Sequence, residues 1–290
     1  MKKSLIFPFL LTACVLVGCS KPSNTNNIPC TLTLMGIKGH VMSVTDTCYD
    51  AITYSGKIKK GRRLSPSQQD MFFLHLYAIS STEFNQDGNA VKETAYHRSK
   101  QIDKMTKYEY YDQHFIGQEV YGSDGELAYS LKYILENGVP VSVDMYVKEG
   151  EKIDSVTCTF DGFLNTSASY YAKGQLVLKE QNAYQNELLV ERVVTGKDGE
   201  ISHLCSQRDS TGKLTHRYLM INMDRDYSED YTYDDNGFLT RYSRSGSLDG
   251  PIVDYMMDYT AIDAHGNWTE RVIYQDHQPL FLQARTIVYY

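Results

Sequence analysis

From residue 80 to residue 290 the chain alternates between apolar and polar positions. In Asp224 to Asp234, the residues Asp224, Asp226, Ser228, Asp230 and Thr232 share one face, while Tyr227, Tyr231 and Tyr233 share the other. In Asp254 to Tyr259, Asp254 and Asp258 alternate with Tyr255, Met257 and Tyr259. A period of two is that of a β-strand with one wet face and one packed face. Polar breaks interrupt the alternation at Asn137-Gly138, Glu149-Gly150, Asp161-Gly162, Gln185-Asn186, Asp249-Gly250-Pro251 and Asp276 to Pro279. From Gly125 onward a turn signal arrives roughly every 12 to 13 residues, which leaves strands of about eight or nine residues. Turns at both strand ends predict a continuous antiparallel meander. Upstream, Gly39 to Ala51 alternates in the same way, Gly56 to Ser67 reads as a loop, and Gln68 to Ile79 as a strand, with a short helix start at Ser65-Pro66.

The breaks have an internal grammar. Seven windows align on Gly88, Gly125, Gly174, Gly199, Gly212, Gly237 and Gly266, and an apolar residue stands two places after the glycine in all seven. Asn85, Asp209, Asp234 and Asp263 stand three places before it. Asp or Asn starts a type I turn by accepting hydrogen bonds from its own backbone further on. Glycine then takes the positive φ of a bulge without steric cost. In such a hairpin the residue before the Asp position faces the residue two after glycine, so Tyr233 is expected to pair with Leu239 and Tyr121 with Leu127.

Tyr233-Asp234-Asp235-Asn236-Gly237-Phe238-Leu239 resembles the YD repeat of the Rhs family, and Asp263-Ala264-His265-Gly266-Asn267-Trp268 resembles a degenerate copy, of a kind found in envelope lipoproteins of Bacteroidota. The resemblance implies hairpins that wind into a curved β-sheet. The encapsulating role of long repeat arrays does not carry over, because the array here is short and no toxin domain follows Tyr290 in the sequence. The expected fold is all-β: a long antiparallel β-meander of repeated hairpins in a curved open sheet, since each strand rotates against the next by about 20–25°.

The N-terminus supplies an address. Lys2 and Lys3 precede an apolar run from Leu5 to Val17 that is too short to span a bilayer, and the run ends in Leu16-Val17-Gly18-Cys19. This looks like a bacterial lipobox, with cleavage before Cys19 and acylation of Cys19. Ser20 is not the aspartate that retains enteric lipoproteins at the inner membrane, so an outer-membrane lipoprotein, periplasmic or surface-exposed, is expected. The organisation is then a signal peptide at 1–18, a lipidated cysteine with a polar tether at 19–29, and a repeated β-hairpin domain at 30–290.

Composition narrows the chemistry. Net charge is −7, and −9 once Lys2 and Lys3 leave with the signal. Nucleic acid is therefore not expected as a partner, because phosphate binding needs a basic footprint. Tyrosine is the surplus residue, with 24 copies against 10 Phe and 1 Trp. It favours strands and suits surfaces that are half apolar and half wet. Cys30, Cys48, Cys158 and Cys205 have no zinc-type spacing. Four strand steps separate Cys158 from Cys205, which predicts free thiols there and leaves Cys30–Cys48 as the pair to consider. The run Lys57, Lys59, Lys60, Arg62, Arg63 suits phosphate headgroups or lipopolysaccharide, against a bland alternative of a solvated loop. Asp224, Asp226, Asp230, Asp254 and Asp258 lack calcium-loop spacing, and no cofactor fingerprint, P-loop or nucleophile elbow occurs. No metal, cofactor or catalytic residue is expected.

Three classes of function fit the sequence. The favoured one is a non-catalytic, lipid-anchored envelope protein that binds a protein or glycan partner on a concave face carrying Tyr121, Tyr170, Tyr233 and Trp268, whose aromatic rings offer contact area at little entropic cost. The alternative is an envelope hydrolase whose site is assembled from distant residues. A transmembrane β-barrel is disfavoured, because strands such as Thr269 to Tyr274 carry charge on both faces.

Overall fold

The computed structural model describes residues 30–64, 79–96, 101–147, 155–172, 174–222, 225–246 and 252–290. The signal peptide, Cys19, the tether, Ser65-Pro66, Gln68 to Ala78 and Asp224 lie outside these. A short helix, α1, spans Thr31–Leu34. The strands run β1 Val41–Tyr54, β2 Lys57–Arg63, β3 Ile79–Phe84, β4 Ala90–Tyr96, β5 Ile102–Tyr111, β6 His114–Tyr121, β7 Leu127–Glu136, β8 Val139–Val147, β9 Ser155–Asp161 and β10 Leu164–Ala172. They continue as β11 Gln175–Gln185, β12 Leu188–Gly196, β13 Gly199–Arg208, β14 Leu214–Ile221, β15 Arg225–Tyr233, β16 Leu239–Gly246, β17 Val253–Ile262, β18 Trp268–Gln275 and β19 Gln278–Tyr289.

Two kinds of turn produce the meander. Where Asp or Asn opens the loop, its side chain organises the backbone. Asp209 Oδ1 accepts from the amides of Thr211 and Lys213 at 2.8 and 3.0 Å, and Asp263 Oδ1 accepts from His265 and Asn267 at 2.9 Å each. The glycine amide donates back to the Asp carbonyl, as in Gly237 to Asp234 at 2.9 Å. All seven window glycines have φ between 71° and 118°. The paired positions face each other as Tyr233 with Leu239, Tyr121 with Leu127, Phe84 with Ala90, Arg208 with Leu214 and Ile262 with Trp268. In two windows the register differs: Leu176 meets Tyr171 and Tyr170 meets Leu178 around Gly174, and Thr195 meets Glu200 rather than Ile201 around Gly199. Two-residue turns with both φ positive make the second kind, for example Asn137-Gly138 and Asp276-His277.

The sheet does not stay open. Strands β3 to β19 follow one another in antiparallel order, and β1 then pairs on one edge with β19 and on the other with β3. The result is a closed barrel of 18 strands. This corrects the expected curved open sheet. An open meander exposes two rows of unpaired backbone groups, and pairing Val41–Asp50 with Tyr289–Phe281 satisfies both edges at once. Arg285 locks the seam with two bonds of 2.7 Å to the Asp46 carboxylate. The segment expected as a loop at Gly56 to Ser67 is mostly strand. Ser55 and Gly56 form a two-residue turn with φ 51° and 73°, and β2 folds back on the second half of β1.

Barrels of this strand number leave a wide lumen. Here long side chains occupy it. Tyr108, Tyr129, Tyr133, Tyr170, Tyr242 and Tyr255 are buried, together with Phe84, Phe115, Phe281 and Ile273. A buried tyrosine needs a partner for its hydroxyl, and the inner wall supplies it. Tyr108 donates to Glu93 at 2.7 Å, Tyr242 to Glu229 at 2.7 Å, and Tyr259 to the Leu239 carbonyl at 2.8 Å. α1 and the turn after it sit at one mouth: Leu32 and Ile37 are buried, the Leu32 amide donates to the Gly88 carbonyl at 3.0 Å, and Asn267 exchanges two 2.8 Å bonds with the Lys38 backbone. All four described cysteines are free thiols, and Cys30 and Cys48 belong to different packed clusters.

Candidate binding site

Closure redistributes the residues expected on a concave groove. Tyr170 is buried inside the wall and donates to Glu180 Oε2 at 3.2 Å. Tyr233 is partly buried, donates to the Leu214 carbonyl at 3.0 Å, and burial pushes its hydroxyl up to about 12. Trp268 is buried with the Arg285 and Arg271 guanidinium groups 3.8 and 4.7 Å from its ring centre. Tyr121 lies on the outer wall, where its hydroxyl donates to Glu119 at 2.6 Å and Lys107 stands 5.0 Å from its ring. These four residues form no common surface. Leu127 and Leu239 follow their partners, and Leu176 is exposed.

The interior is polar in patches. Between β7 and β12 a cavity of about 20 Å³ is lined by Tyr133, Cys158, Asn165, Tyr170, Glu180 and Arg192, among others. That is space for about one water. Glu180 Oε1 accepts from Asn182 at 2.7 Å and stands 3.4 Å from Arg192 Nε. Asn165 Oδ1 is buried without a partner. Burial raises the Cys158 thiol to about 11. A second patch holds Glu229, fully buried between Arg217, Tyr231 and Tyr242. Both patches pair a buried glutamate with an arginine on the inner wall.

The outer wall is the opposite of a lipid-facing band. Mid-strand ion pairs stud it: Glu83–Lys92 at 2.7 Å, Glu109–Lys132 at 2.9 Å, Arg241–Asp254 at 2.6 Å and His216–Asp230 at 2.8 Å. The described members of the acidic set are split up by these contacts, with Asp230 held by His216 and Asp254 by Arg241. Among the described residues no helix is long and apolar enough to cross a membrane.

The β1–β2 hairpin brings exposed aromatic, aliphatic and basic side chains together on one face. Tyr54 is opposite Lys57 and Ile52 opposite Lys59, so these four share one face. Ile52 and Tyr54 are exposed at 48% and 64%, and Lys59 Nζ stands 4.6 Å from the Tyr54 ring centre. On the other face Lys60 reaches Glu270 at 3.3 Å and stands 5.7 Å from the ring of Tyr49, while Arg63 stands 6.0 Å from it. Arg62 reaches Asp50 at 3.6 Å. Gly61 is required where β2 bends, because a Cβ there would sit 2.8 Å from the Asp50 carbonyl. An aromatic plate flanked by two exposed ammonium groups is the chemistry of an acidic sugar, whose ring face stacks on tyrosine while its anion meets lysine.

No protein-family model matches the chain, and no curated protein sequence matches it. Among solved structures, a porin-like protein from Bacteroides uniformis is similar at 10% identity and a TM-score of 0.39, over 86% of this chain and 98% of that one. A porin-like protein from Bacteroides vulgatus is similar at 10% identity and 0.38, over 87% and 99%. TcdB2-TccC3 without its hypervariable C-terminal region gives 10% and 0.25, over 83% of this chain and 18% of that one. Similarity at this level transfers no function.

Proposed function

We propose that this protein is a non-catalytic, lipid-anchored protein of the cell envelope that binds an acidic glycan through the β1–β2 hairpin. The observation that carries the reading is the hairpin itself: Lys57 and Lys59 stand exposed on the same face as the exposed Ile52 and Tyr54. The lipobox at Cys19 and the polar tether support the anchor, and the charged outer wall supports a barrel that stands in water rather than in lipid. Anchoring is checked by fractionation: Cys19→Ala is expected to move the protein from the membrane to the soluble fraction, and its retention in the membrane fraction after a salt wash would refute the anchor. Binding is checked by calorimetry with purified lipopolysaccharide on the chain from residue 30. Lys57→Glu with Lys59→Glu is expected to weaken binding at least tenfold and to flatten its salt dependence, and Tyr54→Ala to weaken it severalfold. Unchanged affinity in the double variant would remove the hairpin as the site.

A further inference from the structure

Three metal-type donors converge on the outer wall of β12 and β13. Glu191 stands directly opposite Cys205 in the ladder, and His203 lies two residues before Cys205, hence on the same face. Their ligand atoms all lie within 4.8 Å of one another. His203 Nε2 is 2.8 Å from Glu191 Oε1 and 3.2 Å from Cys205 Sγ. One ring nitrogen thus faces two partners. If it carries its proton, it can serve the carboxylate, and the thiol must turn its hydrogen away. If it does not, the thiol can donate and the nitrogen and carboxylate lone pairs face each other. A cation placed between the three satisfies all of them.

We propose that Glu191, His203 and Cys205 form a binding site for a divalent cation of borderline softness, of the zinc class. The donor set of one imidazole, one thiolate and one carboxylate matches that class, with bonds of about 2.0–2.3 Å to N, O and S. Opening the observed separations by a few tenths of an ångström would bring the three to neighbouring corners of a tetrahedron. Both strands are anchored in the barrel, so the three side chains converge without folding a loop. The other ring nitrogen, His203 Nδ1, stands 3.7 Å from Glu200 Oε1. A shift of a few tenths of an ångström would bring this carboxylate into hydrogen-bond range, where it would orient the ligating histidine. On binding, Cys205 coordinates as thiolate and releases its proton to solvent. The fourth corner faces outward and takes water or a group from a second molecule. His203 and Cys205 are two residues apart on β13, but Glu191 lies on the preceding strand, and no standard spacing motif announces the set.

Cobalt(II) is the probe, added to the full chain carrying Cys14→Ser, Cys19→Ser and Cys30→Ser so that the thiols ahead of the barrel strands are silent. The expected result is a thiolate-to-cobalt band in the near ultraviolet with visible bands of tetrahedral intensity, at one equivalent, displaced by zinc(II). Cys205→Ser is expected to abolish the near-ultraviolet band, and His203→Ala to weaken binding at least tenfold. Glu200→Gln is expected to weaken it about tenfold while keeping the band, the signature of an orienting residue. All variants lie on the outer wall, and an unchanged far-ultraviolet dichroism spectrum shows that they fold. Absence of a thiolate band, or its persistence in Cys205→Ser, would overturn the proposal.

Discussion

A buried hydroxyl or carboxylate is tolerated only with its partners in place, and Glu229 shows how the lumen meets that condition. Its carboxylate is fully buried, takes the Arg217 guanidinium on one oxygen and the Tyr242 hydroxyl at 2.7 Å on the other. Arg217 is raised above its ordinary range: burial opposes its charge, and Tyr231 and Glu229 outweigh that. Glu229→Ala leaves a buried cation alone and is expected to cost about 3–5 kcal/mol in urea denaturation, with Glu229→Gln costing less. The thiols report burial in a different way. Burial pushes Cys48 to about 12 and Cys158 to about 11. The thiolate is the reactive form. At pH 8 in the folded protein, Cys48 and Cys158 are therefore expected to react with an aromatic disulfide far more slowly than the partly exposed Cys30, and all four equally once unfolded.

At the scale of elements, the turn is the unit that sequence makes legible. The Asp-x-x-Gly windows carry their own hydrogen bonds, so residues that stand close in sequence determine them. Asp209 illustrates the pH consequence. The Thr211 hydroxyl, then the Lys213 and Thr211 amides, hold its carboxyl below the usual range against desolvation. A folded value below the unfolded one means that its stabilisation is present above about pH 4 and is lost as pH falls through the folded value. Asp209→Ala is expected to lower stability by up to about 1 kcal/mol at pH 7, and the gap to the natural protein to narrow on acidification. Glycines differ by surroundings. At Gly125, with φ 77°, an added Cβ meets nothing within 4 Å, whereas at Gly88, with φ 80°, it meets Cys30 Sγ at 2.8 Å. Gly125→Ala is expected to cost about 1–2 kcal/mol for the left-handed backbone alone, and Gly88→Ala to cost more and to loosen α1, as read by faster hydrogen exchange at the Leu32 amide. Which wall a turn residue faces is not legible in the same window. Tyr121 and Tyr233 occupy the same turn position, yet Tyr121 shares the outer wall with Glu119, and Tyr233 sits near Arg208 and Tyr259. In five of the seven windows the expected pair faces, and packing of the rest of the strand decides the side. The strand β2 is illegible for a related reason, since five cations in seven residues leave no apolar alternation to read.

The whole molecule depends on a contact that no local pattern contains. The seam joins residues 239 apart in the chain, Asp46 and Arg285, and only a sheet that has already coiled brings them together. Sequence patterning reads as a meander whether its ends meet or not, so the alternation is equally compatible with an open groove and with a closed barrel. Thr45 and Thr286 make the distinction measurable. They are direct partners across the seam and alternate with the inward Val44 and Asp46, so both point outward and neither fills the lumen. Facing residues in an antiparallel ladder have Cα atoms about 4.5–5.5 Å apart, inside the range a disulfide accepts. Thr45→Cys with Thr286→Cys is therefore expected to oxidise in the folded protein, to give a faster-migrating band on a non-reducing gel, and to raise the urea midpoint, because the bond closes a loop of nearly the whole domain and is worth about 4 kcal/mol or more. Oxidation under urea should be much slower. An open curved sheet would hold the two thiols on opposite edges, where they would remain free under both conditions.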